Sequence, residues 1–313
     1  MKSKRPENHI SGVLAIDKPA GMTSFDVVRR IRKALGARRI GHTGTLDPMA
    51  TGLLLLCINQ ATKLVPFLQA GEKGYAGTMI LGLCTDTDDI TGRVTCKKTN
   101  YDLSHEEIIR LAAEFVGPIQ QVPPRYAALK FNGQPAYKLA RRGEKVPVRV
   151  REVFIHELVV TGIDLPRISF LTRVSKGTYI RSLVADWGRR LGTGACLESL
   201  RRLTNASFTL KEALSLEKAE ALAREGRLAD RIIPEAEALS FMPSVRVPGV
   251  LVQLVKNGQP LPLNRLKSFS PRPGPVRVLS PETGLLAVYE YNPGTSDKNK
   301  PGSLTPLRVL GSL

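Results

Sequence analysis

The sequence predicts a mixed α/β protein of the α+β kind, with a largely antiparallel central sheet, flanking helices and a small all-β appendage at the C-terminus. Three observations carry this. Helical and strand periodicities are interspersed up to about Ser240 without the regular βαβ alternation of a doubly wound parallel sheet. Beyond Ser240, Pro and Gly become frequent, the strand-like pieces are short, and no long helical pattern appears. The 313 residues suit two domains, residues 1–239 and 240–313, and a hydrophobic content of 42% is enough for a sizeable core.

Taken in order, Gly12–Asp17 reads as a short buried strand. Thr23-Ser-Phe-Asp26 has capping-box spacing, and the helix it opens carries Val27, Val28, Ile31 and Leu35 on one face before stopping at Gly36. Arg29, Arg30, Arg32, Lys33, Arg38 and Arg39 form the opposite face and the exit, either a solvated face or an RNA-contacting one. Gly52–Ile58 is an apolar run suited to a central strand, and Tyr75–Leu83 alternates at strand period. Asp102–Phe115 reads as helix. Ile168–Val174 reads as a strand that turns at Ser175-Lys-Gly-Thr178 into a helix with Ile180, Leu183, Val184, Trp187 and Leu191 on one face. In the appendage, Val250–Val255, Val276–Leu279 and Leu285–Tyr289 look strand-like, and Asn292–Pro306 looks like a mobile loop.

Charge narrows the partner. The net charge of +18 repels itself in a compact state unless a polyanion is bound, so nucleic acid leads and an acidic membrane surface comes second. The region after residue 239 has nine Lys/Arg against three Asp/Glu, a net of +6, and the rest carries the other +12, so both parts suit a polyanion. The longest apolar run, Leu53–Ile58, is far below the roughly 18 residues that span a bilayer. The charged start, Met1–Pro6, has no apolar segment behind it and is not read as a secretory signal. Cys57, Cys84, Cys96 and Cys196 form no CxxC pair, which speaks against disulfides or zinc and for a reducing cytoplasm.

The stretch Gly41-His-Thr-Gly-Thr-Leu-Asp-Pro-Met-Ala-Thr-Gly52 holds three glycines, a proline and an aspartate in twelve residues. It makes a long loop between the first helix and the Gly52–Ile58 strand, a place where function concentrates. On composition alone, Asp47 before Pro48 is equally readable as a turn cap. Asp86, Asp88, Asp89 and Gly92 hint at a calcium loop, but Ile90 stands where an oxygen ligand is needed and no Glu closes it, which leaves an acidic turn. With no GxGxxG, no GxxxxGK[ST] and no metal-spaced His/Cys set, neither a cofactor nor a metal is expected.

The loop resembles the active-site motif Gly-His-x-Gly-x-Leu-Asp-Pro-x-Ala-x-Gly of the bacterial tRNA pseudouridine synthase B family. Further segments resemble the family in the same order: Gly12–Ser24 with Lys18 and Pro19, Lys73-Gly-Tyr75 with Leu81–Asp88 and Thr91-Gly92, Gln121–Lys130 with Gly133 and Ala140-Arg141, Ser175–Leu183, and Leu200-Arg-Arg202. The resemblance implies a pseudouridine-synthase fold with a PUA-like C-terminal domain, to which Val252–Leu261 is a looser match. It implies an enzyme that flips uridine-55 out of the tRNA T loop, breaks its bond to ribose and rejoins the base through C5. Asp47 would be the catalytic carboxylate, paired with and oriented by Arg181. Tyr75 would stack on the flipped base and help move the C5 proton, Tyr179 and Leu200 would complete the pocket, and His42 would fill the place the base left. Lys18 and Pro19 would buttress the catalytic loop. An insertion at about residues 121–151, ending in the basic run Lys138–Arg151, would grip the T stem-loop phosphates. The family works in the cytoplasm as a monomer without a cofactor, membrane or obligatory protein partner. Two other readings share the scaffold: a guide-RNA-dependent synthase subunit, and a non-catalytic RNA-binding or tRNA-folding module. The insertion speaks for the stand-alone branch, and the presence of both Asp47 and Arg181 speaks for catalysis.

Overall fold

The structure, a computed structural model, describes residues 10–126, 130–131, 134–135, 150–266, 272–280, 282, 284–294 and 301–310. The expected RNA-gripping insertion lies outside these residues except at its two ends and two short backbone pieces.

The chain begins with β1 (Gly12–Lys18), α1 (Ser24–Leu35), β2 (Ile40–His42) and β3 (Thr51–Ile58). A short helix α2 (Val65–Gln69) leads to β4 (Lys73–Leu81), the hairpin β5 (Leu83–Thr85) and β6 (Val94–Lys97), then α3 (His105–Ala113) and β7 (Gly117–Gln121). After β8 (Lys130–Phe131) and β9 (Gln134–Pro135) come β10 (Arg151–Asp164), β11 (Arg167–Val174), α4 (Ile180–Arg190) and β12 (Ala195–Asn205). The part before the C-terminal sheet ends with β13 (Phe208–Thr209), β14 (Leu214–Ser215), α5 (Leu216–Arg224) and α6 (Glu235–Ala238). The C-terminal part holds β15 (Ser244–Arg246), α7 (Gly249–Lys256), β16 (Gly274–Ser280), β17 (Gly284–Gly294) and β18 (Pro301–Val309).

Local signals explain α1. The Thr23 hydroxyl accepts the Asp26 N–H at 3.1 Å, and the Asp26 carboxylate accepts the Thr23 N–H at 3.1 Å, a reciprocal cap worth about 1 kcal/mol. At the other end Gly36 takes the left-handed conformation and donates its N–H to the Arg32 carbonyl. Val27, Val28 and Ile31 are buried as the periodicity predicts, each contributing on the order of 2 kcal/mol through apolar burial. The opposite face is not wholly solvated, because Arg30 Nε donates to Glu220 of α5 at 2.6 Å.

The main sheet runs β14-β1-β3-β12-β4-β11-β10-β7, with β13 on β12 and β2 on β3. It is largely antiparallel; β1 with β14 and β3 with β12 are the parallel neighbours. From Leu53 to Ile58 β3 is apolar at every position, because both its faces are covered. Leu54, Leu56 and Ile58 belong to the cluster with α1 and Trp187 of α4, whereas Leu53, Leu55 and Cys57 belong to the cluster behind the sheet. Leu285, Val288 and Leu310 of the C-terminal part close over that second cluster.

Two expectations are corrected in the C-terminal part. Val250–Val255 is not a strand but lies within α7, so the appendage is a four-stranded sheet with a helix, not all-β. Burial explains this: Leu251 and Val255, four residues apart, are both buried while Val250 is 82% exposed, which is helical spacing. Most of the Asn292–Pro306 stretch is strand, because β17 extends to Gly294 and pairs with β18 through Tyr291–Leu304 and Asn292–Ser303. The Tyr75–Leu83 strand ends at Leu81, where Gly82 turns the chain into the β5–β6 hairpin.

The parallel contact of β3 with β12 is short, matching Thr51 to Arg201 and Gly52 to Arg202. Gly52 sits at φ 100°, and a Cβ there would lie 2.3 Å from the Arg202 carbonyl oxygen. Gly52→Ala therefore meets both backbone strain and a backbone clash, and should destabilise the protein by at least about 2 kcal/mol in urea unfolding. A variant as stable as the parent would show that β3 and β12 do not approach this closely.

Candidate active site

The loop ahead of β3 is irregular yet partly buried, so its backbone groups need partners. Each part of it finds one. Thr43 donates its N–H to the Leu55 carbonyl at 3.1 Å, and the Leu46 N–H reaches the Ser24 hydroxyl at 2.9 Å, which donates back to the Leu46 carbonyl at 3.2 Å. The Pro48 carbonyl accepts from the Gly21 N–H at 2.8 Å and from Lys18 Nζ at 3.3 Å. Arg202 on β12, 1% exposed, donates Nη2 to the Gly44 carbonyl at 3.1 Å and Nε to the Leu53 carbonyl at 2.6 Å. The Asn205 side-chain amide, also on β12, donates to the Thr43 hydroxyl at 2.8 Å. The loop thus hangs between β1 and β12, and the Lys18 contact bears out its expected buttressing geometry. Burial pushes the Lys18 ammonium down to about 8, opposed by the nearby Asp47 charge.

At the apex sits Asp47, whose side chain is 32% exposed, against Arg181, whose side chain is 5% exposed. Arg181 Nη2 donates to Asp47 Oδ1 at 3.1 Å, and Nε lies 2.9 Å from Oδ2 as an ion pair whose N–H is not aligned for a hydrogen bond. The remaining edge of the guanidinium is also engaged: Nη1 donates to the Thr87 carbonyl at 2.8 Å and lies 3.6 Å from Asp89 Oδ2. A buried arginine needs this much compensation, because desolvation of an ion costs several kcal/mol unless partners answer it. Its backbone is placed by the β11–α4 turn. There Gln121, at the end of β7, clamps Tyr179 by accepting its N–H at 2.8 Å and donating to its carbonyl at 3.0 Å.

Asp47, Tyr75, Tyr179, Arg181 and Leu200 line one cavity of about 410 Å³. Tyr75 comes from β4, where β-pleat alternation turns Lys73, Tyr75, Gly77, Met79 and Leu81 to the buried side. Leu200 pairs with Gly77 across β12 and β4. Burial raises the Tyr179 phenol above its ordinary value. His42 does not line this cavity. It lines the adjoining one of about 910 Å³, on the Thr23–Phe25 side of Asp47, together with Asp47, Arg181 and Tyr126. Burial and the neighbouring Arg202 charge lower the His42 pKa. Its Nδ1 accepts the Gly44 N–H at 3.4 Å, which leaves the ring proton of the neutral form on Nε2.

Sequence reasoning missed several groups here. The sequence marks Arg202 only as a neighbour of Leu200, yet its side chain holds the loop. Gln69, Lys73 and Arg151 line the cavity as well. The acidic turn at Asp86–Asp89 belongs to the site through Asp89 and the Thr87 carbonyl, a connection visible only when β5 is laid against α4. Among the described residues no group of three or more His, Cys, Asp or Glu is arranged to hold a metal ion. The arrangement offers a half-exposed carboxylate held by a buried cation at the mouth of an aromatic and aliphatic cavity, next to a second cavity carrying a neutral imidazole.

Comparisons with known proteins show the family of the chain. Residues 32–180 match a family described as TruB family pseudouridylate synthase (N terminal domain), a span that includes Asp47, Tyr75 and Tyr179. The chain is 42% identical to the tRNA pseudouridine synthase B of Geobacter sulfurreducens over 80% of this chain and 83% of the relative. It is 38% identical to that of Bacillus cytotoxicus over 96% of this chain and 97% of the relative. Among solved structures, an H/ACA RNP bound to a substrate RNA containing 2'-deoxyuridine aligns with a TM-score of 0.74 at 25% identity, covering 96% of this chain and 85% of that one. A Cbf5-Nop10-Gar1 complex aligns with a TM-score of 0.74 at 26% identity, covering 96% and 87%. Identity of this extent along nearly the whole length of full-sized relatives, on the same fold, means that the chain belongs to the tRNA pseudouridine synthase B (TruB) family of pseudouridylate synthases.

Proposed function

We propose that this enzyme isomerises uridine-55 in the T loop of tRNA to pseudouridine, with Asp47 as the catalytic carboxylate. The observation that carries the reading is the Asp47–Arg181 pair at the mouth of a cavity lined by Tyr75, Tyr179 and Leu200. A carboxylate so held can act on the ribose or the base as the glycosidic C–N bond breaks. The uracil then turns within the cavity and joins C1' through C5; C5 gives up its proton and N1 gains one. No electron or group carrier enters this balance, so the reading includes no cofactor. The 410 Å³ cavity suits one extruded base, with Tyr75 as its stacking partner. His42, in the adjoining cavity, is suited to stack in the space the base leaves.

The division of labour follows the same reading. Residues 1–239 form the catalytic domain, and residues 240–313 form a PUA-like RNA-binding domain with its own cluster around Val276, Val278 and Tyr289. The enzyme acts as a cytoplasmic monomer on tRNA without guide RNA; no helix among the described residues is long and apolar enough to cross a membrane. The solved neighbours with H/ACA and Cbf5 in their names favour, by fold, the alternative of a guide-dependent subunit. The higher identity to relatives named tRNA pseudouridine synthase B, over most of both chains, favours the stand-alone enzyme.

Two outcomes test the reading. Asp47→Asn keeps the loop's shape but not its charge, so tritium release from 5-tritiated uridine in unmodified tRNA should fall at least about 10⁴-fold while tRNA affinity stays within a few-fold. Substantial turnover by a sequence-verified Asn variant removes Asp47 from its role. Exhaustive EDTA treatment should leave full activity on a T-arm minihelix, a substrate that needs no magnesium-dependent tertiary folding. Activity lost to chelation and restored by a metal on that minihelix would contradict the metal-free site.

A further inference from the structure

Beside the base cavity lies a third one of about 590 Å³, and like the base cavity it is lined by more cations than carboxylates. Its charged lining residues are Lys73, Arg151 and Lys176 against the single carboxylate Glu152, and it shares Lys73, Arg151 and Gly177 with the base cavity. Lys73 is 8% exposed, and its ammonium donates to the carbonyls of Gln69 at 3.0 Å and Gly71 at 2.8 Å. Those are neutral acceptors. The adjacent Glu72 is taken up instead by Arg173 and His156. A buried ammonium facing two further cations is costly in the free protein, and an anion in the cavity would relieve that cost.

We infer that this cavity holds a phosphodiester of the bound RNA, the linkage flanking the extruded uridine, through Lys73, Arg151 and Lys176. The inference rests on the uridine reading above, since the shared lining puts the phosphate one step along the backbone from a base in the first cavity. Three cations of this kind grip a phosphate without reading sequence, Arg151 through its fork and the lysines as point charges. The site also has a built-in pH response. Burial, with Arg202 and Lys176 adding to it, pushes Lys73 down to about 8. The charged and titratable groups around it are Arg202 on β12, Arg151 and Glu152 on β10 and Lys176 in the β11–α4 turn, with Asp47, Tyr75 and Tyr179 across the shared cavity. A bound phosphate favours the protonated ammonium, so binding is at full strength well below pH 8 and weakens as pH rises through it.

The test uses the full-length enzyme and T-arm minihelices carrying one neutral methylphosphonate linkage at each position around the target uridine. With wild-type enzyme, one flanking linkage should cost about tenfold in affinity when neutralised, and Lys176→Gln should lower that cost at the same linkage alone, since Lys73 and Arg151 remain. Lys176→Gln should also make the log–log salt slope shallower by roughly 0.7 to 0.9. Between pH 6.5 and 9, wild-type affinity should decline above pH 8 by up to tenfold per pH unit, while Lys73→Arg, which keeps its charge, should give a flat profile. If Lys73→Arg does not fold, the exposed Lys176 and the neutral linkages still decide. Every linkage costing the same in wild type and Lys176→Gln, with an unchanged salt slope, overturns the phosphate site. Tritium release by the wild type is scored separately, so turnover alongside that result leaves the uridine reading intact. Altered slopes without turnover would instead leave an anion site and remove the uridine reading.

Discussion

The site depends on keeping an irregular loop at core depth. Backbone carbonyls removed from water must be answered, and a loop has no ladder or helix to do it. Here the answer comes from two buried cations on the strands either side of β3, Lys18 on β1 and Arg202 on β12, which together hold the carbonyls of Gly44, Pro48 and Leu53. The cost of burying them is offset by what they hold in place, a carboxylate carried at the apex of a loop that would otherwise sample many conformations. The short parallel contact of β3 with β12 follows from the same arrangement, since it brings Arg202 beside Gly52.

A second layer of order sits around Arg181. One guanidinium meets Asp47, Asp89 and the Thr87 carbonyl, so the carboxylate at the loop apex, the β5–β6 turn and the start of α4 share a single charged centre. A planar fork with five donors can do this; an ammonium could not hold the same directions at once. Asp47 keeps partial exposure while its partner is buried, which leaves the carboxylate open to substrate on the side away from the arginine.

The back of the main sheet imposes a different constraint. Leu53, Leu55 and Cys57 on β3, and Val13 and Ala15 on β1, share their cluster with Leu285, Val288 and Leu310. The C-terminal sheet is therefore part of the main sheet's cover, and Arg277 of β16 strengthens the join by donating to the Ala236 and Met242 carbonyls at 2.6 and 3.0 Å.

What the sequence determined by itself was local. The Thr23–Asp26 cap, the Gly36 stop, the doubly buried run of β3 and the strand–turn–helix around Arg181 are written in neighbouring residues, because capping and periodicity act over a few positions. The motif resemblance picked out five of the residues that line one cavity and gave His42 a separate role, and the structure puts His42 beside the adjoining cavity. In the appendage local signals failed. Val250–Val255 is apolar at nearly every position and so fits a strand or a helix equally, and only the partners of Leu251 and Val255 chose the helix. The carbonyls that Arg202 and Lys18 hold, the joining of Asp89 to Arg181, and the convergence of Lys73, Arg151 and Lys176 were decided by tertiary structure. Each unites residues tens to more than a hundred positions apart, and their meeting follows from strand order, which no local pattern records.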